Sequence, residues 1–160
     1  MEEFFKFSSA VNPIVTWILV ILGWGIVSNQ NDRREARKEI RATIDFVITL
    51  IYDTHTKAVD FYMRPASDPT CPLLRAQIIR DLGRIGMIIS ACEIVDHSQP
   101  IHSKVSDLRR AITLHEFDQP DRAAKSYSDQ RLTEITLATK ELSEVLESRF
   151  RERYRDAVRL

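Results

Sequence analysis

Residues Val11 to Ser28 read VNPIVTWILVILGWGIVS, and the reading of this stretch decides the fold. It carries no charge, and nine of the fourteen residues from Ile14 to Val27 are Ile, Leu or Val. At roughly −0.3 to −0.6 kcal/mol each near a bilayer centre, these nine contribute about −3 to −5 kcal/mol to insertion. Asn12, Thr16 and Ser28 offset part of that gain. As helix the stretch is about 27 Å long, near the lower limit for crossing a membrane. Asn12 can cap the helix, and Pro13 suits its first turn. Trp24 fits an interfacial belt, with Trp17 deeper. The expectation is a single transmembrane helix over 11–28, with Ile14, Trp17, Ile18, Leu22 and Trp24 as anchor residues. The competing reading is a buried helix of a soluble core. Apolar character all round, with no charged face, favours the anchor.

The flanks give the anchor a direction. Before it, residues 1–10 form a short tail, MEEFFKFSSA, with two Glu, one Lys and three Phe suited to the lipid interface. A cleaved signal peptide wants a basic start and a small-x-small site. This tail starts acidic, and an uncleaved anchor is expected. After the stretch come Arg33, Arg34, Arg37, Lys38 and Arg41, a basic cluster at the expected membrane surface. The positive-inside rule then puts the N-terminus out and the remainder in the cytoplasm. Glu35 and Glu39 stand among these cations at helical spacing and can pair with them. Each cation left over is worth about 1 kcal/mol of attraction to anionic headgroups.

The whole chain, 160 residues with 44% hydrophobic and 29% charged, has a globular balance. Lys+Arg and Asp+Glu are equal at 23 each, which argues against a specific nucleic-acid binder. Only four Gly occur, and no run alternates apolar with polar residues, so the class is all-α. Cys71 and Cys92 are too few for a disulfide framework and fit a reducing compartment.

Residues 29–160 read as a cytoplasmic antiparallel bundle of about four helices. The first spans 32–62, with Ile40, Ile44, Val47, Ile51, His55, Ala58 and Tyr62 at spacings of three and four, and Phe46, Leu50 and Phe61 widening the face. Arg64–Pro72 holds three prolines and reads as a loop. The second helix spans 73–95 on a stripe of Leu74, Ile78, Leu82, Ile85, Ile89 and Cys92. Gly83, Gly86 and Ser90 make a small-residue line beside it, and Arg80, Asp81 and Arg84 keep it out of lipid. A loop broken by Pro100 follows, then a short helix over 103–117 capped by Ser103. Residues Asp118–Tyr127 connect, with room for one helical turn after Pro120. The last helix spans 128–158, capped by Ser128, with Leu132, Ile135, Thr139, Leu142, Leu146 and Phe150 inward. An up-down order brings its arginine-rich end back beside the start of the first bundle helix.

Catalytic signatures are missing from the sequence. It contains no HExxH, CxxC, GxGxxG, P-loop or GxSxG pattern. Glu93, Asp96, His97 and His102, with His55, form a weak polar-site candidate whose spacing matches no trusted metal pattern. No cofactor is expected. The leading expectation is a non-enzymatic, membrane-anchored interaction or scaffold module. It would self-associate or meet a cytoplasmic protein partner, and its first partner is the lipid bilayer. A membrane-acting effector or toxin that oligomerises in the inner membrane is the alternative. An enzyme built on the polar cluster is a third. A lone anchor, basic stalk and small bundle suit a bacterial inner membrane, which implies location and not activity.

Overall fold

The computed structural model describes residues 2–92 and 100–155; among residues 1–30 it describes only the side chains of Trp17, Val20 and Trp24. The elements are α1 (Glu2–Met63), α2 (Cys71–Ala91), α3 (Pro100–Thr113), a 3-10 turn at Glu116–Asp118, and α4 (Gln130–Arg155). No strand occurs among the described residues. The chain divides into two compact units, residues 1–39 and 40–160.

The first unit is helical from Glu2 onward, where a separate tail was expected over residues 1–10. Trp17, Val20 and Trp24 are exposed, and so is every residue from Asn31 to Glu39. Among the described residues, no helix is long and apolar enough to cross a membrane. Apart from Trp17, Val20 and Trp24, the side chains of Val11–Ser28, which carry the anchor expectation, lie outside the described residues.

The second unit is an all-helical bundle. Its pairings are read from contacts at matched levels. Between α1 and α4, Arg41 meets Glu147 and His55 meets Thr136. Between α1 and α2, Lys57 meets Asp81, and Arg84 lies over Phe46. Between α3 and α4, Lys104 meets Glu141 and Arg131 meets the Leu114 carbonyl. Between α2 and α3, Gly86 faces Val105 and Arg75 pairs with Asp118 beyond the end of α3. In each pair one number rises as the other falls, so all four neighbouring pairs are antiparallel. α1 and α3 are diagonal, and the Tyr62 hydroxyl crosses between them to donate to the Ile112 carbonyl at 2.6 Å.

The buried residues follow helical periodicity. Ile44, Val47, Ile51, Ala58, Phe61 and Tyr62 of α1 pack with Ile78, Leu82, Ile85 and Ile89 of α2. Ile101, Leu108 and Ile112 of α3 and the predicted α4 stripe complete the same core. Burial of such side chains, about 1.5–3 kcal/mol each, drives the packing.

The structure moves several expected features. On α1 the inward position belongs to Thr54, fully buried, rather than to His55, which is half-buried. The Thr54 hydroxyl donates to the Leu50 carbonyl at 2.7 Å, which satisfies it without a partner on another helix. Phe46 is 44% exposed under the Arg84 guanidinium. α2 begins at Cys71 rather than 73. Asp68 Oδ1 accepts from the Thr70 amide and hydroxyl just before it, and Pro72 stands in the first turn, where it gives up no needed donor. For the same reason Pro100 opens α3 instead of breaking a loop.

α3 stops at Thr113, short of 117, because His115 takes a positive φ of 67° that no α-helix accommodates. Residues 119–129 form no helix, only turns at 120–121 and 127–128. They lie as a belt over the α1 terminus, where the Ala66 amide donates to the Arg122 carbonyl and the Lys125 amide to the Tyr62 carbonyl, each at 2.9 Å. Asp129, not Ser128, caps α4: its Oδ1 accepts from the Arg131 amide at 2.8 Å. Of the small-residue line, Gly86 lies against Val105, and among the described residues nothing comes within 4 Å of where a Cβ at Gly83 would stand.

Candidate functional site

An open groove of about 880 Å³ lies on the α1/α4 side of the bundle. Antiparallel packing sets Val59 and Met63 of α1 beside Leu132 and Leu137 of α4, with Leu74 of α2 and Tyr127 of the belt at its margin. Large apolar side chains stay exposed at this groove, Leu137 at 55% and Tyr127 at 76%. A groove of this size and lining has the character of a binding surface.

One polar pair stands in it. His55 Nε2 lies 3.0 Å from the Thr136 hydroxyl oxygen. The Thr136 hydroxyl donates to the Leu132 carbonyl at 2.8 Å, so its proton is spent. His55 Nε2 must then be the donor, which assigns the tautomer and leaves Nδ1 as the acceptor. Burial pushes the His55 pKa below its ordinary value and favours the neutral ring. The groove carboxylate, Asp60, is held by Arg64 Nε at 2.8 Å. No carboxylate orients the imidazole among the described residues, so the groove offers apolar contact with a neutral imidazole, beside the cations of Lys57 and Lys140 that also line it.

The expected site residues fall in different places. His55 lies in the groove, and His102 is in the first turn of α3, the helix diagonal to α1. Glu93, Asp96 and His97 lie outside the described residues. Among the described residues no group of three or more His, Cys, Asp or Glu could hold a metal ion. Of the anchor residues, Trp17 and Trp24 are exposed, while the side chains of Ile14, Ile18 and Leu22 lie outside the described residues.

Arg33, Arg34, Arg37 and Lys38 are exposed. Arg41 differs from them: it is folded into the bundle. Its two Nη atoms donate to the Glu147 carboxylate at 2.9 Å each, Nη2 also reaches Asp45 at 2.7 Å, and the guanidinium lies over the Phe150 ring. These hydrogen bonds, to Glu147 first and Asp45 second, raise its pKa further. It ties α1 to α4 and brings the arginine-rich end of α4 beside the start of the bundle, as an up-down order requires.

Two buried charges are not evident from composition. Asp81 is 2% exposed between Lys57 Nζ at 2.6 Å and the Arg80 guanidinium at 3.0 Å. Burial works to raise its pKa, but hydrogen bonds from Lys57 and then Arg80 outweigh it, and the carboxylate is held below its usual range. Its position was legible in outline, because 78, 81, 85 and 89 share one helix face. Arg122 is 4% exposed. Its Nη2 donates to the Phe61 carbonyl at 2.8 Å and the Arg64 carbonyl at 3.2 Å, and its Cζ lies 3.8 Å from the Phe61 ring centroid. Nε has no hydrogen-bond partner among the described residues. The cation completes the C-terminus of α1, where exposed carbonyls favour positive charge. Nothing in its polar surroundings, DQPDRAAKSY, marked it for burial.

No protein-family model matches the chain, and neither a curated protein nor a solved structure matches it.

Proposed function

We propose that this protein is a membrane-anchored, non-enzymatic interaction module: an inner-membrane helix tethers a cytoplasmic helical bundle that binds a protein partner or a second copy of itself. The observation that carries the reading is the exposure of Trp17, Val20 and Trp24. Each indole or isopropyl group left in water forfeits about 1.5–3 kcal/mol that burial in lipid would recover. They belong to an uncharged 18-residue stretch, and an exposed run rich in Arg follows directly. Apolar helix and then cations is the order expected of a span that ends at an anionic cytoplasmic surface. The bundle brings its own core, whose described members run from Ile40 to Tyr154. It can therefore work as a folded head, with the groove between α1 and α4 as its contact surface.

Fractionation tests the tether. The full chain is expected in the membrane pellet, resistant to carbonate at high pH, and fragment 40–160 in the supernatant. A full chain released by carbonate refutes the anchor. Crosslinking in intact cells tests the head: Leu137→Glu, at an exposed groove position, is expected to remove crosslinked species while leaving the fold intact.

The alternative is an effector that oligomerises and breaches the membrane. Asn12, Thr16, Gly23 and Gly25 favour it, since a passive tether has no need of polar and small residues in its span. Strong induction would then collapse membrane potential, and replacing 11–28 with poly-Leu would abolish the effect.

A further inference from the structure

A second cleft lies on the opposite face of the bundle from the groove, between the start of α2 and the end of α3. It measures about 240 Å³, and two arginines from facing helices, Arg75 and Arg109, line it. α3 ends at Thr113, and the left-handed turn at His115 folds the chain back. Phe117 is thereby buried as the cleft floor, and Asp118 is set against Arg75. The Arg75 guanidinium lies over the Phe117 ring, with Cζ 5.6 Å from the centroid. One guanidinium is thus held by an aromatic face and by a carboxylate. Arg109 is exposed and has no carboxylate partner among the described residues. The cleft therefore carries two cations against one anion.

From this arrangement we infer a binding site for a small phosphomonoester. Two planar forks from different helices can each take two oxygens of one tetrahedral dianion. A carboxylate, with two oxygens in one plane, can satisfy only one fork, and Asp118 already pairs with Arg75. The dianion replaces the Asp118 carboxylate at Arg75 and neutralises Arg109 at the same time. The Thr113 hydroxyl donates to the Arg109 carbonyl at 2.8 Å, so recognition falls to the arginines. Ile79 and Leu82 give the remaining wall an apolar surface suited to the organic part of the ester. The volume admits a phosphoryl group with a small body and is too small for a folded partner.

The test is titration of the full chain in detergent with phenyl phosphate, followed by calorimetry at low salt. Wild-type protein binds, and Arg109→Ala weakens binding about ten-fold or more, the loss of one charge-assisted contact. Arg110→Ala, a neighbouring exposed cation outside the cleft, changes it less than about two-fold, within the spread of a peripheral charge. Asp118→Asn tightens binding, because the competing carboxylate is gone. All three substituted residues are exposed, so the bundle stays folded. Binding absent in the wild type, equal loss in Arg109→Ala and Arg110→Ala, or no gain in Asp118→Asn each overturns the site. Equal affinity for phenyl sulfate, a monoanion of the same shape, overturns its selectivity for a dianion.

Discussion

Replacing Asp81 by Ala puts a number on the buried ion pair between α1 and α2. Asp81 contributes a side chain only 3% exposed, and Lys57 one that is 29% exposed. Removing one member of a fully buried pair costs roughly 3–5 kcal/mol, chiefly because the other charge is left stranded. Lys57 is part-solvated and can turn toward water, and Arg80 is 68% exposed and loses little. The expected cost of Asp81→Ala is therefore about 2–3 kcal/mol. Asp81→Asn keeps the volume and an acceptor for Lys57 and costs less, about 1–2 kcal/mol. Replacing the pair together, Lys57→Met with Asp81→Leu, strands no charge and is expected within about 1 kcal/mol of wild type. The assay is urea denaturation of fragment 40–160, which contains the described core, with stability read from the midpoint at constant slope. Acid adds an independent check. The folded carboxylate has a depressed pKa, so its contribution is complete above the ordinary carboxylate value and lost as pH falls through the folded value. Asp81→Asn removes that part of the acid sensitivity. A cost below about 0.5 kcal/mol for Asp81→Ala, or a double variant no better than the single one, refutes the stranded-charge reasoning.

Three further outcomes follow from particular contacts. Burial depresses the His55 pKa, so its contribution is complete above the ordinary value of about 6.5 and lost as pH falls below it; the urea midpoint is expected to drop between about pH 7.5 and 5.5, and His55→Gln to flatten that drop. His115 is exposed at φ 67°, a conformation costing a side chain roughly 1–3 kcal/mol, so His115→Gly is expected to raise stability by about 1 kcal/mol after its own entropic cost, read as a higher urea midpoint. Arg122→Met keeps the side-chain bulk but removes the donors to the α1 terminus; a loss of about 1–3 kcal/mol is expected, with faster amide exchange at Ala66 and Lys125, whose bonds hold the belt in place.

The helical class and the inward faces were legible in the chain because burial on a helix repeats every three to four residues. The α4 stripe from Leu132 to Phe150 is buried as read. Helix ends were less legible, since they depend on which side chain reaches an unpaired backbone group. Asp129 and Ser128 are equally good caps in sequence, and only the fold selects Asp129. Proline was misread for a related reason. It breaks a helix interior yet suits a first turn, and its neighbours in sequence do not say which applies at Pro72 and Pro100.

What the sequence alone determined is the layout: an uncharged apolar stretch at Val11–Ser28, a basic run after it, and amphipathic helices with the periodicity of a bundle. Those features are local, set by hydrophobicity and period along one helix. Tertiary structure decided which charges go inside. Asp81 shares a face with Ile78 and Ile85, but its burial depends on Lys57 arriving from α1 at the same level. Arg41 stands in a run of exposed cations in sequence, yet Glu147 and Phe150 hold it against α4. Arg122 lies in a polar connection and is buried because the α1 terminus offers it carbonyls and an aromatic face. A charge enters a core only where distant residues compensate it, and that compensation comes into being only when the helices pack.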